Sequence, residues 1–129
     1  GGALLIEGDV GNEIGLSMRR GLIAVAGSAR DLVGMNMLAG TILVFGQAGI
    51  RHGAGMRRGT IGLFGTPASP LLPTFRYACR SHLLALKLLL LDLRRREFPF
   101  PHELIDAQVD AYNGDFLEGG RGEILARSA

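Results

Sequence analysis

Residues 15–27 read GLSMRRGLIAVAG, residues 34–46 read GMNMLAGTILVFG, and residues 53–65 read GAGMRRGTIGLFG. The three segments start 19 residues apart, and six positions keep their chemistry in every copy. Gly15, Gly34 and Gly53 open the copies, followed by Met18, Met37 and Met56, then by Gly21, Gly40 and Gly59. Ile23, Ile42 and Ile61 come next, then the aliphatics Val25, Val44 and Leu63, and the copies close on Gly27, Gly46 and Gly65. An interval kept in six registers over three copies marks a structural repeat. One interval upstream, Gly2, Leu4, Ile6 and Gly8 match the closing half, so the sequence is expected to begin inside a coil.

Each copy ends in an alternating segment flanked by glycines: residues 22–26, 41–45 and 60–64. The two-residue period is that of a strand. Nothing between the copies is long enough for a typical helix and its turns, which excludes a helical crossover. The repeat therefore predicts an all-β chain, a right-handed parallel β-helix of about 19 residues per coil, with coils about 4.8 Å apart. Ile23/Val25, Ile42/Val44 and Ile61/Leu63 should stack inward above Leu4 and Ile6, with the three methionines as a second column. The glycines serve either corners of positive φ or places where layers approach, and the sequence does not divide them between these uses.

Sixteen of the 20 glycines precede residue 66, which divides the chain into solenoid repeats over residues 1–65 and a different region over 66–129. The net charge of +2 arises in the first part, where six arginines face four acids, while the rest balances eight against eight. That is too little basicity, without interleaved aromatics, for nucleic-acid binding. The single Cys79 offers no internal disulfide, and no charged leader with a cleavage site is visible, so a cytoplasmic protein is expected. The longest apolar stretch, residues 83–93, is interrupted by Lys87 and Asp92 and falls short of the roughly 20 residues of a membrane span.

Residues 66–73 hold three prolines and form a linker. Residues 74–96 read as one helix, N-capped by Thr74, whose leucines cover more than one face and whose task is to cap the open end of the solenoid. Arg94, Arg95 and Arg96 suit its carboxy-terminal dipole and solubility, or form a docking patch for an acidic partner. Residues 103–112 predict a second short helix with Leu104, Ile105, Val109 and Tyr112 on one side, stopped by Asn113-Gly114-Asp115. Residues 123–126 predict a short extended segment.

No reactive constellation emerges from the residues. His52, His82 and His102 lie in different segments without metal-ligand spacing. His52 reads as a surface residue of a basic turn, and Cys79 as a small buried one. The acids Glu7, Asp9, Glu13 and Asp31 do not recur as a column, and no carboxylate pair for glycoside hydrolysis stands out. The main polar signal is arginine: Arg19 and Arg57 share a register, as do Arg20 and Arg58. With Arg30 and Arg51 they can line a basic edge for an anion or an acidic partner, or be solvated turn residues.

The pattern Gly15-x-x-Met18-x-x-Gly21-x-Ile23-x-Val25-x-Gly27 and its two successors resemble the GXGXG β-helix. That module is shared by the carboxy-terminal domain of the glutamate synthase alpha chain and the β-helical, C-type subunit of formylmethanofuran dehydrogenase. Gly8-Asp9-Val10-Gly11, Met18-Arg19-Arg20-Gly21 and Arg51-His52-Gly53-Ala54-Gly55-Met56-Arg57-Arg58-Gly59 look closest to the formylmethanofuran dehydrogenase type. So do Tyr112-Asn113-Gly114-Asp115 and Gly120-Arg121-Gly122-Glu123-Ile124-Leu125, in the version found in the formyltransferase/hydrolase complex of methylotrophs. Members of that family extend well upstream of the first coil, where this sequence starts within a repeat. The resemblance implies a structural subunit without an active site of its own, in tetrahydromethanopterin- and methanofuran-linked one-carbon metabolism. It also implies hydrolase-type, molybdopterin-type and formyltransferase-type partners, with the methanofuran analogue and the metals in those chains. Two alternatives stand beside it: a structural β-helix domain of the glutamate synthase type, and an anion-binding module for a polyglutamate cofactor tail.

Overall fold

The computed structural model describes residues 2–128. Four short strands carry the repeat: β1 (Ala3–Ile6), β2 (Leu22–Val25), β3 (Thr41–Val44) and β4 (Thr60–Leu63). They pair in parallel, with Leu4 beside Ile23, Ile23 beside Ile42 and Ile42 beside Ile61. This is the parallel solenoid that the 19-residue interval requires. Because a strand alternates faces, the sheet has an apolar layer on each side. Val25, Ile42, Val44, Ile61 and Leu63 turn inward and pack with Met37 and Met56. Ala24 and Leu43 turn outward.

The glycine columns divide cleanly by use. Gly15, Gly34 and Gly53 sit at φ near 70°, and Gly21, Gly40 and Gly59 between 86° and 107°, where a side chain is strained. Gly27, Gly46 and Gly65 are not of that kind. A Cβ on Gly46 would lie 2.5 Å from the Gly27 carbonyl oxygen, so this column lets one coil rest on the main chain of the previous one.

After β4 the chain departs from its expected course. Residues 76–81 form a strand, β5 (Arg76–Ser81), and the helix α1 is confined to Leu84–Arg95 with no side-chain cap at Leu83. Thr74 is therefore not an N-cap. The second expected helix is a single 3-10 turn (His102–Asp106) followed by β6 (Val109–Gly114). Another 3-10 turn, Phe116–Glu118, leads to β7 (Gly122–Arg127), which covers the expected extended segment. Strand pairing overrode helical spacing here: β5 pairs antiparallel with β6, and β6 with β7. Val109 and Ala111 then face the outer layer while Tyr112 leans on the inner one, as a two-residue period dictates.

β7 pairs in parallel with β4, with Ile124 beside Ile61, so the carboxy-terminal segment supplies the next rung. The result is one seven-stranded sheet in the order β1-β2-β3-β4-β7-β6-β5. The last coil is thus covered by strands. The helix instead lies along the outer face, with Leu86, Leu90 and Leu93 against Leu43, Phe45, Phe64 and Leu125. Burying each of these leucines is worth about 1.5–3 kcal/mol. At about 1.5 Å per residue the helix is about 18 Å long, close to the span of four strand spacings of about 4.8 Å.

Replacing Gly46 with alanine is expected to destabilise the protein by about 1–3 kcal/mol through overpacking. Gly8→Ala, at a position with open space around it, is expected to stay within about 0.5 kcal/mol of the parent. Urea unfolding of the two variants checks the contrast.

Candidate functional site

The coil corners are tied by side chains that hydrogen-bond one coil away. Asp9 Oδ1 accepts from the Ser28 amide at 2.7 Å, and Ser28 Oγ from the Gln47 amide at 3.1 Å. Gln47 Nε2 in turn donates to the Thr66 carbonyl. A parallel ladder runs from Asn12 Oδ1, accepting from the Asp31 amide, to Asp31 Oδ1, accepting from the Ile50 amide, both at 3.0 Å. These acids are structural rungs whose partners differ in type, which is why no acidic column stands out in the sequence.

His52 is fully buried, contrary to its reading as a surface turn residue. Its register is that of Ile14 and Val33, an inward column already present in the sequence. Nδ1 accepts from the Val33 amide at 3.1 Å, which places the proton of the neutral ring on Nε2. Burial pushes the His52 pKa down, opposed in part by the Gly49 carbonyl and the charge of Asp31. Cys79 is exposed on β5, where a buried residue was expected.

The polar feature with the shape of a site lies where the β6–β7 loop folds back onto the third repeat. Asp115 is buried and follows a cis peptide bond from Gly114. Its Oδ2 accepts from the Gly55 amide and its Oδ1 from the Leu117 amide, both at 3.0 Å. Burial pushes its pKa up, but the hydrogen bonds from the Gly55 and Leu117 amides outweigh it, so the carboxyl titrates below its ordinary value. This clamp sets Glu118 beside Arg57, with Nε and Oε2 3.7 Å apart. Arg57, Arg58, Arg121, Glu118 and Leu38 line a cleft of about 440 Å³. Next to it, Arg19, Arg57, Ser17, Asn36 and Glu118 line a second cleft of about 480 Å³.

Arg19, Arg57 and Arg58 are therefore neighbours, and Arg121 and Glu118 join them from a loop that the sequence presents as a glycine-rich connector. Arg20 opens onto a different hollow, beside Asp92 and Arg96 near the end of α1. Arg30 and Arg51 are exposed and line neither cleft. Guanidinium groups hold anions and stay protonated, so this constellation is suited to binding. Among the described residues, no three His, Cys, Asp or Glu side chains gather into a metal-binding group. A separate cluster sits on the outer strands, where Arg80 grips Asp110 through two hydrogen bonds of 2.8 and 3.2 Å and Tyr77 donates to the same carboxylate. The Arg80 hydrogen bond holds Asp110 below the usual carboxylate range.

The fold has a counterpart among solved structures. The chain is similar to one in the X-ray crystal structure of the formyltransferase/hydrolase complex (FhcABCD) from Methylorubrum extorquens in complex with methylofuran. The TM-score is 0.55 at 22% sequence identity, over 98% of this chain and 71% of that one. At that identity the likeness speaks to the fold alone. No family model and no curated protein sequence matches the chain. No helix among the described residues is long and apolar enough to cross a membrane.

Two variants test the buried groups. The folded pKa of His52 lies below its ordinary 6.5, so the unfolded chain takes up the extra proton and stability falls as pH drops below about 6.5. His52→Leu should remove its share of that acid slope while costing about 1–3 kcal/mol at about pH 8, because the buried Val33 amide loses its acceptor. Asp115→Asn should cost about 1–3 kcal/mol near neutral pH by setting an amide against a backbone donor. Denaturant titrations at several pH values read both.

Proposed function

We propose that this chain is a structural subunit of a hetero-oligomeric enzyme complex of the formyltransferase/hydrolase or formylmethanofuran dehydrogenase kind. In this reading it serves one-carbon metabolism linked to tetrahydromethanopterin and methanofuran. The chemistry, the methanofuran analogue and the metals belong to hydrolase-type, molybdopterin-type and formyltransferase-type partners. The observation that carries the proposal is the fold likeness over 98% of the chain to a chain of such a complex. The motif wording around Gly53–Gly59 and Gly120–Leu125 supports the same reading. Coils tied to one another by main-chain pairing and by the Asp9 and Asn12 side-chain ladders form a body around which catalytic chains can be arranged.

Native mass spectrometry of the protein purified from its own cells tests this. Co-purification with formyltransferase-type and hydrolase-type chains in fixed ratio is expected. Purification as a free chain, or with a glutaminase and flavin domain, contradicts it and in the second case favours the glutamate synthase type.

The arginine cleft favours one additional reading, in which the chain holds the polyanionic tail of a cofactor. Three guanidiniums face one carboxylate there, an arrangement that attracts carboxylate chains. The residues to replace are Arg57 and Arg58, because Arg20 opens elsewhere. Arg57→Ala with Arg58→Ala should weaken binding of an oligoglutamate by about tenfold or more, and unchanged affinity removes this reading.

A further inference from the structure

The coil interval that sets the strand register also sets the spacing of the arginines. Ser17, Asn36 and Gly55 share one register, and Arg19, Leu38 and Arg57 share another two residues on. The Leu38 amide donates to the Met18 carbonyl and the Arg57 amide to that of Met37, so these columns are stacked as the strands are. The two arginine-lined clefts have Leu38, Arg57 and Glu118 in common. Together they make a groove along the solenoid axis, from Ser17 and Arg19 past Asn36 and Leu38 to Arg57, Arg58 and Arg121. Arg58 and Arg121 each precede by two residues the register partners Thr60 and Glu123, so they bracket the far end from neighbouring rungs.

The charge of this groove is one-sided. Arg19, Arg57, Arg58 and Arg121 are all exposed, and among the described residues Glu118 is the one acid that lines it. Glu118 answers Arg57 at 3.7 Å, too long for a hydrogen bond, and exposed pairs of this kind are worth little. The spacing then selects among acidic chains. Arg19 and Arg57 stand two coils apart with Leu38 between them, about 9.6 Å along the axis. Same-face residues of a β-strand recur at about 6.6 Å, which falls out of step with that distance. A polyproline II helix rises about 3.1 Å per residue with three residues per turn, so every third residue returns to one face about 9.3 Å further on. Its main chain makes no internal hydrogen bonds, and the exposed Ser17 and Asn36 offer polar groups to it beside the arginine column. An α-helix pairs its own main chain and has no use for that column.

We infer that the groove binds an acidic peptide chain held extended in the polyproline II conformation, with every third carboxylate on the arginine column. Arg19 and Arg57 take successive carboxylates, and Arg58 with Arg121 closes the far end. The inference rests on the reading of the cleft as an anion site and adds which chains that site accepts. Two sources share this chemistry: an acidic segment of a partner protein, and a cofactor tail of α-linked glutamates, which also turns every third carboxylate to one face.

Fluorescence anisotropy on the full-length protein tests the spacing with two short peptides of identical composition, built from glutamate and proline. One carries glutamate at every third position and the other at every second. The first is expected to bind about fivefold more tightly or better, more weakly at higher salt, and to lose its advantage in the Arg19→Gln variant. Arg19 is exposed, so that substitution leaves the core untouched. Equal affinity of the two peptides, or a preference that survives in Arg19→Gln, overturns the inference and leaves the cleft a general anion site. Binding of neither peptide overturns it too, and if an oligoglutamate also fails to bind, the anion reading falls with it. Photo-reactive benzoylphenylalanine in place of Glu118, which is exposed and lines both clefts, distinguishes the sources in the protein's own cells. An adduct on a segment of another protein with acids at every third position identifies a partner chain, and an adduct of a small molecule bearing α-linked glutamates identifies a cofactor tail. An adduct only on chains without that spacing, or no adduct, contradicts the inference.

Discussion

Successive coils satisfy each other's main chain, and the rest of the structure depends on that exchange. The Val10 amide donates forward to the Ser28 carbonyl and Leu32 to Ile50, while Thr60 donates back to Gly40, so that a donor in one coil meets an acceptor in a neighbouring one. Buried peptide groups left unpaired are costly, and a coil without a neighbour has no other means of pairing them. The interval of 19 residues is thereby forced. A coil one residue longer or shorter would swing Ile42 and Val44 out of line with Ile23 and Val25. The side-chain rungs from Asp9 to Thr66 and from Asn12 to Ile50 repeat the same offset at the corners, where the main chain alone does not pair every amide.

Such a stack has two liabilities, an open edge and an apolar outer face, and the segment after residue 65 answers both. β7 extends the ladder beyond β4, and β6 and β5 follow it in antiparallel pairing. The helix then covers Leu43 and Leu125 from outside, assisted by Phe45, Phe64 and Phe98. The same chain reversal delivers Asp115 to the Gly55 amide and so builds the arginine cleft. Edge protection and the candidate binding surface are consequences of one strand returning to one place. Leu84 and Leu88 stay exposed for the same reason, because a helix laid flat on a sheet turns its other side to solvent.

The repeat was legible because one residue type recurs at each position: three methionines, three isoleucines and two columns of corner glycines. Its register, the inward ladder and the absence of a helical crossover could all be read from it. What followed residue 66 was less legible for a physical reason. Residues 76–81 become a strand only because β6 pairs with them, and that partner lies about thirty residues later. His52 was legible through its register with Val33 and Ile14, yet its flanking Arg51 argued for a surface turn. The arginine cleft was half legible. Arg19, Arg57 and Arg58 stood out by register, while Arg121 and Glu118 arrive through a fold-back that no spacing announces.

The return of β7 to β4 joins the repeats, the cleft and the helix into one body, and it spans 63 residues of sequence. Thr60 and Glu123 are register partners whose side chains meet at 2.8 Å, and parallel neighbours about 4.8 Å apart lie within disulfide range. In a Cys79→Ser background, the pair Thr60→Cys and Glu123→Cys should oxidise to an internal disulfide, read by intact mass and peptide mapping. The pair Thr60→Cys and Ile124→Cys, turned to the opposite face, should stay reduced. No cross-link in the first pair, or equal cross-linking in both, would contradict the closed ladder.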